Sequence, residues 1–95
     1  IVYEDELAIA FKDISPQAPV HILVIPKKQI SKLSDSTNQD QELLGHLLLV
    51  VKKITTDENI LDYRVAINNG AEAGQTVFHL HLHILAGRTF GWPPG

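Results

Sequence analysis

The segment His79-Leu80-His81-Leu82-His83-Ile84-Leu85 alternates imidazole and aliphatic side chains. Side chains of a strand point alternately to its two faces, so His79, His81 and His83 share one face. Leu80, Leu82 and Ile84 take the other and belong to a core. The pattern predicts a strand over Phe78–Leu85. Three imidazoles fill a core poorly, because each ring nitrogen needs a partner once buried. The strand therefore belongs to a sheet whose one face is packed and whose other face is free for chemistry.

The flanking sequence supplies the rest of that sheet. Asn69–Thr76 is a loop with Gly70 and Gly74, and Tyr63–Asn68 before it alternates as a strand. Val20–Ile25 is an almost continuous apolar run ended by Pro26, which suits a central strand. Two prolines mark Ser15–Pro19 as a loop. Ile1–Tyr3 and Leu7–Phe11 form a hairpin around Glu4-Asp5-Glu6. Ile30–Leu33 reads as a short helical turn. The N-cap cluster Asp35–Asn38 then introduces a helix over Gln39–Thr56. Its apolar positions are Leu43, Leu44, Leu47, Leu48, Val50, Val51 and Ile54, at helical spacing. Leu49 extends the apolar surface further round, and Gly45 leaves room for a close backbone. One sheet face cannot cover such a helix, so a second subunit is expected on its other side. The reading is an α+β fold, with a five-stranded antiparallel sheet and one long helix in a single domain over residues 1–95.

The chain has 95 residues, enough for one small core. It holds no cysteine, which excludes disulfides and thiolate chemistry and suits a reducing compartment. We expect the cytoplasm, with the nucleus also open. A net charge of −3 argues against nucleic acid as a partner. The longest apolar run, Leu47–Val51, falls far short of the roughly 20 residues of a membrane span, so no membrane partner is expected. The chain opens on Ile1 and lacks methionine, as expected of a piece of something longer.

The histidine face admits three readings. It can be a plain polar surface. It can bind zinc, with His46, His21 or a carboxylate completing the ligand set. The Cα atoms of His79 and His83 are roughly 13 Å apart along a strand, however, and converge poorly on one ion. No metal or cofactor is therefore expected, and zinc is kept as an alternative. Or it can be catalytic. A neutral imidazole is a nucleophile near pH 7, and neighbouring imidazoles can steady a phosphoryl group or move a proton. The glycine loop just before the strand can aim backbone N–H groups at an anion, with Gln75 and Thr76 adding donors.

His79–Leu85 resembles the His-φ-His-φ-His-φ-φ signature of the histidine triad (HIT) superfamily, φ being apolar. Asp13–Pro19, Leu23–Lys28, Leu43–Leu47 and Trp92-Pro93-Pro94-Gly95 are similar to its Hint branch, the histidine triad nucleotide-binding proteins. That resemblance implies a homodimeric purine nucleoside phosphoramidase whose sheet extends across the dimer. It would bind a purine nucleoside monophosphate or phosphoramidate and cleave the P–N bond through a nucleotidyl-histidine. By the same resemblance His81 is the nucleophile and His83 contacts the α-phosphate, while His79 and His46 support them. Asp13 would accept the ribose hydroxyls, and Phe11 and Ile14 would lie beside the base. Asn68, Gly74, Gln75, Thr76 and Val77 would line the phosphate side. Thr76 stands where the family often has serine, which keeps the hydroxyl and adds a methyl. Trp92 belongs to a tail that would reach the partner's site, so the dimer would form through the 39–56 helix and the tail. About thirty residues that usually precede this point are absent. The alternatives are a zinc-binding regulatory protein, a nucleotide-binding adaptor without catalysis, and a dinucleoside polyphosphate hydrolase.

Overall fold

The computed structural model describes residues 1–95. Five strands are present: β1 (Tyr3–Glu4), β2 (Ala8–Lys12), β3 (Val20–Pro26), β4 (Tyr63–Ala66) and β5 (Leu82–Ala86). One helix, α1 (Gln41–Asp57), lies between β3 and β4. The strands form a single antiparallel sheet in the order β1-β2-β3-β5-β4. The expected α+β architecture is what is found, and the histidine strand sits inside the sheet between β3 and β4.

β5 is shorter than the alternation suggests. It begins at Leu82, and residues 78–81 are irregular. Its partner β3 ends at Pro26, which has no N–H to continue a ladder. The irregular stretch is tied down instead by Leu80 N–H to the Ile30 carbonyl at 2.7 Å and by Gln29 Nε2 to the Phe78 carbonyl at 3.3 Å. The two-faced pattern survives this change. Leu80, Leu82 and Ile84 are buried, and the three histidines are half-buried.

Helix α1 starts two residues later than the capping cluster implies, behind a single 3-10 turn over Asn38–Asp40. Thr37 caps that turn, accepting from Gln39 N–H, while the Asp40 carboxylate accepts from Thr37 N–H at 2.9 Å. Lys28 Nζ donates to the same carboxylate at 2.6 Å and, with that N–H, holds Asp40 below the usual carboxylate range. The short turn expected at Ile30–Leu33 lies at Leu33–Asp35.

Leu47, Val50, Val51 and Ile54 of α1 pack on Ala8, Ala10, Ile22, Val24, Leu82 and Ile84. This apolar layer is the core, and it assigns the sheet its two sides. Small Ala8 and Ala10 complete this layer on β2. The helix leaves part of that side uncovered. Tyr63, Val65 and Ile67 along β4 and its extension stay partly exposed, and Leu48 and Leu49 of α1 are 54% and 64% exposed. Gly45, expected to admit a close backbone, has nothing within 4 Å of where a Cβ would stand.

Asp5 fastens the hairpin to the helix. Its carboxylate accepts from Tyr3 Oη at 2.6 Å, from the N–H groups of Leu7 and Ala8 at 2.8 Å, and from His46 Nε2 at 2.6 Å. Burial works to raise the Asp5 carboxyl. These four donors outweigh it and hold the group well below the usual carboxylate range.

Candidate functional site

Residues of β3 alternate as those of β5 do. Ile22 and Val24 join the core, so His21, Leu23 and Ile25 face the opposite side with His81 and His83. That side holds a cleft of about 660 Å³. Phe11, Ile14, Leu23, Ile25 and Val77 are its apolar lining. His79, His81 and His83, with Asn68, Gly74 and Thr76, add polar groups, and Leu23 stands directly beside His83 in the sheet. Asp13, Gln17 and His21 also line the cleft.

The hydrogen bonds determine where the ring protons sit. His81 Nδ1 lies 2.7 Å from the His79 carbonyl, which can only accept. Nδ1 therefore carries the proton, and the Nε2 lone pair of a neutral His81 is left unshared. His79 Nε2 donates to the Pro26 carbonyl at 2.8 Å, which fixes that ring in the same way. Gln17 N–H donates to His21 Nδ1 at 3.0 Å, so His21 holds its proton on Nε2. That nitrogen is 2.9 Å from His83 Nδ1 and donates to it. His83 must then carry its own proton on Nε2, and this enclosed atom has no partner in the protein.

His83 is kept neutral. Burial pushes its pKa down, the nearby rings of His81 and His21 add to the effect, and Asp13 works against it. Its ring centroid is 4.9 Å from that of His81 and 5.1 Å from that of His21. A neutral N–H donor thus stands beside an imidazole with a free lone pair, in a cleft whose lining is partly apolar. The combination suits a nucleophile acting on an oxyanion attached to a group with apolar surface.

The model of the HIT domain matches residues 1–90. The chain belongs to the HIT domain family. An uncharacterized HIT-like protein from Synechocystis is 65% identical over the whole chain, which covers 84% of that relative. The HIT family hydrolase of Legionella pneumophila Philadelphia 1 superposes with a TM-score of 0.95 at 45% identity, covering 98% of this chain and 85% of that one. The histidine triad nucleotide-binding protein of Candida albicans superposes at 0.76 with 36% identity, covering 96% and 71%.

This HIT domain gathers most of the residues singled out in the sequence, but not all. Phe11, Asp13, Ile14, Asn68, Gly74, Thr76, Val77, His79, His81 and His83 line one cleft. His46 does not. It sits on α1, on the other side of the sheet, and bonds Asp5. The expectation that it supports the site is corrected, and His21 occupies that place. The sequence held a signal for this: His21 is the one polar residue in the apolar run Val20–Ile25. Gln75 is also outside the cleft lining. It is buried and braces the loop, accepting from Gly70 N–H at 2.8 Å and donating to the carbonyls of Ser31 and Val77. Its buried amide shapes the loop on which Gly74, at φ +95°, and Thr76 are carried. Trp92 is 84% exposed and does not line the cleft. Gln17 was not foreseen, because the group it uses is a backbone N–H that no side-chain motif reveals.

Asp13, His21 and His83 place ligand-type atoms within 4.8 Å of one another, a spacing a metal ion could bridge. The Gln17 hydrogen bond opposes this. With Nδ1 of His21 accepting, the proton must lie on Nε2, the atom that would have to bind the ion. The donor set favours a proton-bearing network over a metal.

Proposed function

We propose that this HIT domain is a phosphoramidase of the Hint type, hydrolysing the P–N bond of purine nucleoside phosphoramidates. The observation that carries the reading is the 2.7 Å bond from His81 Nδ1 to the His79 carbonyl, which leaves Nε2 of a neutral His81 free to attack phosphorus. His81 Nε2 forms a bond to phosphorus as the P–N bond breaks. The electron pair goes to the nitrogen, which takes up a proton and leaves as an amine. Water then attacks phosphorus, returns a proton, and frees His81 and the nucleoside monophosphate. His83 Nε2–H and the donors of the glycine loop stabilise the phosphoryl oxygens. Phe11, Ile14, Leu23 and Ile25 hold the base, and Asp13 accepts from the ribose hydroxyls. Two steps through an enzyme-bound intermediate replace one difficult displacement.

The test is steady-state hydrolysis of adenosine 5′-phosphoryl-lysine. His81→Ala should abolish turnover while AMP binding, read by calorimetry, persists. Substantial turnover by the folded variant would refute the nucleophile.

We also infer a homodimer, supported by the apolar surface left open along Tyr63, Val65 and Ile67 and on Leu48 and Leu49. In a domain this small, covering that surface adds needed stability. Val65→Arg should shift the sedimentation coefficient from dimer to monomer, and an unchanged dimer would exclude this surface. We place the enzyme in the cytoplasm, in keeping with a chain free of cysteine.

A further inference from the structure

Two separate parts of the chain converge on Gln17. Its N–H donates to His21 Nδ1 at 3.0 Å, and its carbonyl accepts from Arg88 Nη2 at 3.3 Å. Arg88 is itself held in place. Its guanidinium carbon lies 4.2 Å from the centre of the Phe90 ring, and Nη1 donates to the Thr89 carbonyl at 3.3 Å. The same ring carries Arg64 at 5.1 Å, and Arg64 Nη2 donates to the Gly91 carbonyl at 2.8 Å. These are the only two arginines in the chain, and neither is paired with a carboxylate. Gly87 completes the clamp. At φ +94° it turns the chain so close to Pro19 that an added Cβ would stand 2.7 Å from the Pro19 Cβ. Residues 87–91 are thus fastened to the 17–19 loop.

We propose that Arg88 is a positioning residue which, through Gln17, sets the tautomers of His21 and His83. The consequence for turnover rests on the phosphoramidase reading; the tautomers themselves do not. Arg88 fixes the carbonyl of Gln17, and with it the orientation of the residue whose N–H faces His21. While that N–H points at Nδ1, His21 keeps its proton on Nε2 and donates to His83. His83 then presents an N–H at Nε2. When the N–H turns away, the His21 proton can move to Nδ1 and Nε2 becomes an acceptor. His83 must then donate from Nδ1, which leaves a lone pair at Nε2. An N–H there stabilises a phosphoryl oxygen, and a lone pair repels it. The Asp13 carboxylate, 3.5 Å from His21 Nε2, also favours a proton on that nitrogen, and the orientation of Gln17 tips the balance between the two. Stacking on Phe90 gives Arg88 one preferred place from which to hold it.

The experiment is long-range proton–nitrogen NMR of the ¹⁵N-histidine-labelled protein at pH 7.5 without nucleotide, alongside phosphoramidate kinetics. In the wild type, both His21 and His83 should show the Nε2–H tautomer. Arg88→Ala should raise the Nδ1–H fraction at both rings and lower kcat/KM about three- to tenfold, the size of one ordinary hydrogen bond. Arg88→Lys keeps the charge and a donor, and should restore the pattern in part. Should Arg88→Ala fail to fold, Phe90→Leu removes the ring that steadies Arg88 and should shift the tautomers in the same direction. Wild-type tautomers at both rings in the folded variants would overturn the proposal, whatever the kinetics. Absence of phosphoramidate turnover in the wild type, with the tautomer shift present, would instead refute the phosphoramidase reading and leave the role of Arg88 standing.

Discussion

Replacing His21 and His46 in turn separates the two sides of the sheet. His21→Ala removes the acceptor of Gln17 N–H and the donor to His83 Nδ1. A polar group left unpaired in a buried site costs about 1–3 kcal/mol. If the unpaired His83 carries that cost into the transition state, at about 1.4 kcal/mol per tenfold in rate, kcat/KM falls roughly 5- to 150-fold. Stability also falls, by a comparable amount of about 1–3 kcal/mol, because the unpaired groups lie in a buried part of the folded protein. His46→Ala acts on stability alone. It removes one hydrogen bond to the Asp5 carboxylate, between side chains that are 31% and 25% exposed. Such a partly solvated bond contributes roughly 1–2 kcal/mol, which lowers Tm by roughly 5–15 °C in a domain of this size. Once folded, His46→Ala should turn over phosphoramidate at nearly the wild-type rate. Kinetics at a temperature where both variants are folded, with thermal unfolding followed by circular dichroism, read both effects. Near-wild-type kcat/KM in His21→Ala, with loss of turnover in folded His46→Ala, would refute the placement of both histidines.

Two stability predictions accompany it. Leu47 is fully buried against the sheet, so Leu47→Ala should cost about 2–5 kcal/mol, measured as a lowered urea midpoint. An unchanged midpoint would mean that α1 is not packed as described. Asp5 has a folded pKa below its unfolded value, so its contribution is present above about pH 4, the unfolded value, and is lost as pH falls through the folded value. Urea midpoints from pH 6 down to pH 3 should fall less steeply in Asp5→Asn, which starts from a lower midpoint. Equal slopes would assign the acid limb to other carboxylates.

The extent to which the fold could be read from the sequence follows from how local its signals are. The alternation at His79–Ile84 assigns side chains to two faces whatever the ladder does, so it survived the late start of β5. Helix α1 is readable because its apolar spacing and the Thr37 cap of the turn that precedes it are both local. His46 shows the limit. Its spacing relative to Leu43 and Leu47 puts it on the side of α1 that meets the sheet. Spacing could not say that this side lies across the sheet from the histidine strand. That fact comes from pairing β3 with β5, which puts His21 opposite Leu85 and one diagonal from His83. Gln17 marks a deeper limit, since its contribution is a backbone N–H aimed by contacts 71 residues away in the chain. Side-chain identity reports which groups are available. The register of two strands, and the pinning of one loop between Arg88 and His21, decide which ring nitrogen of His83 carries the proton.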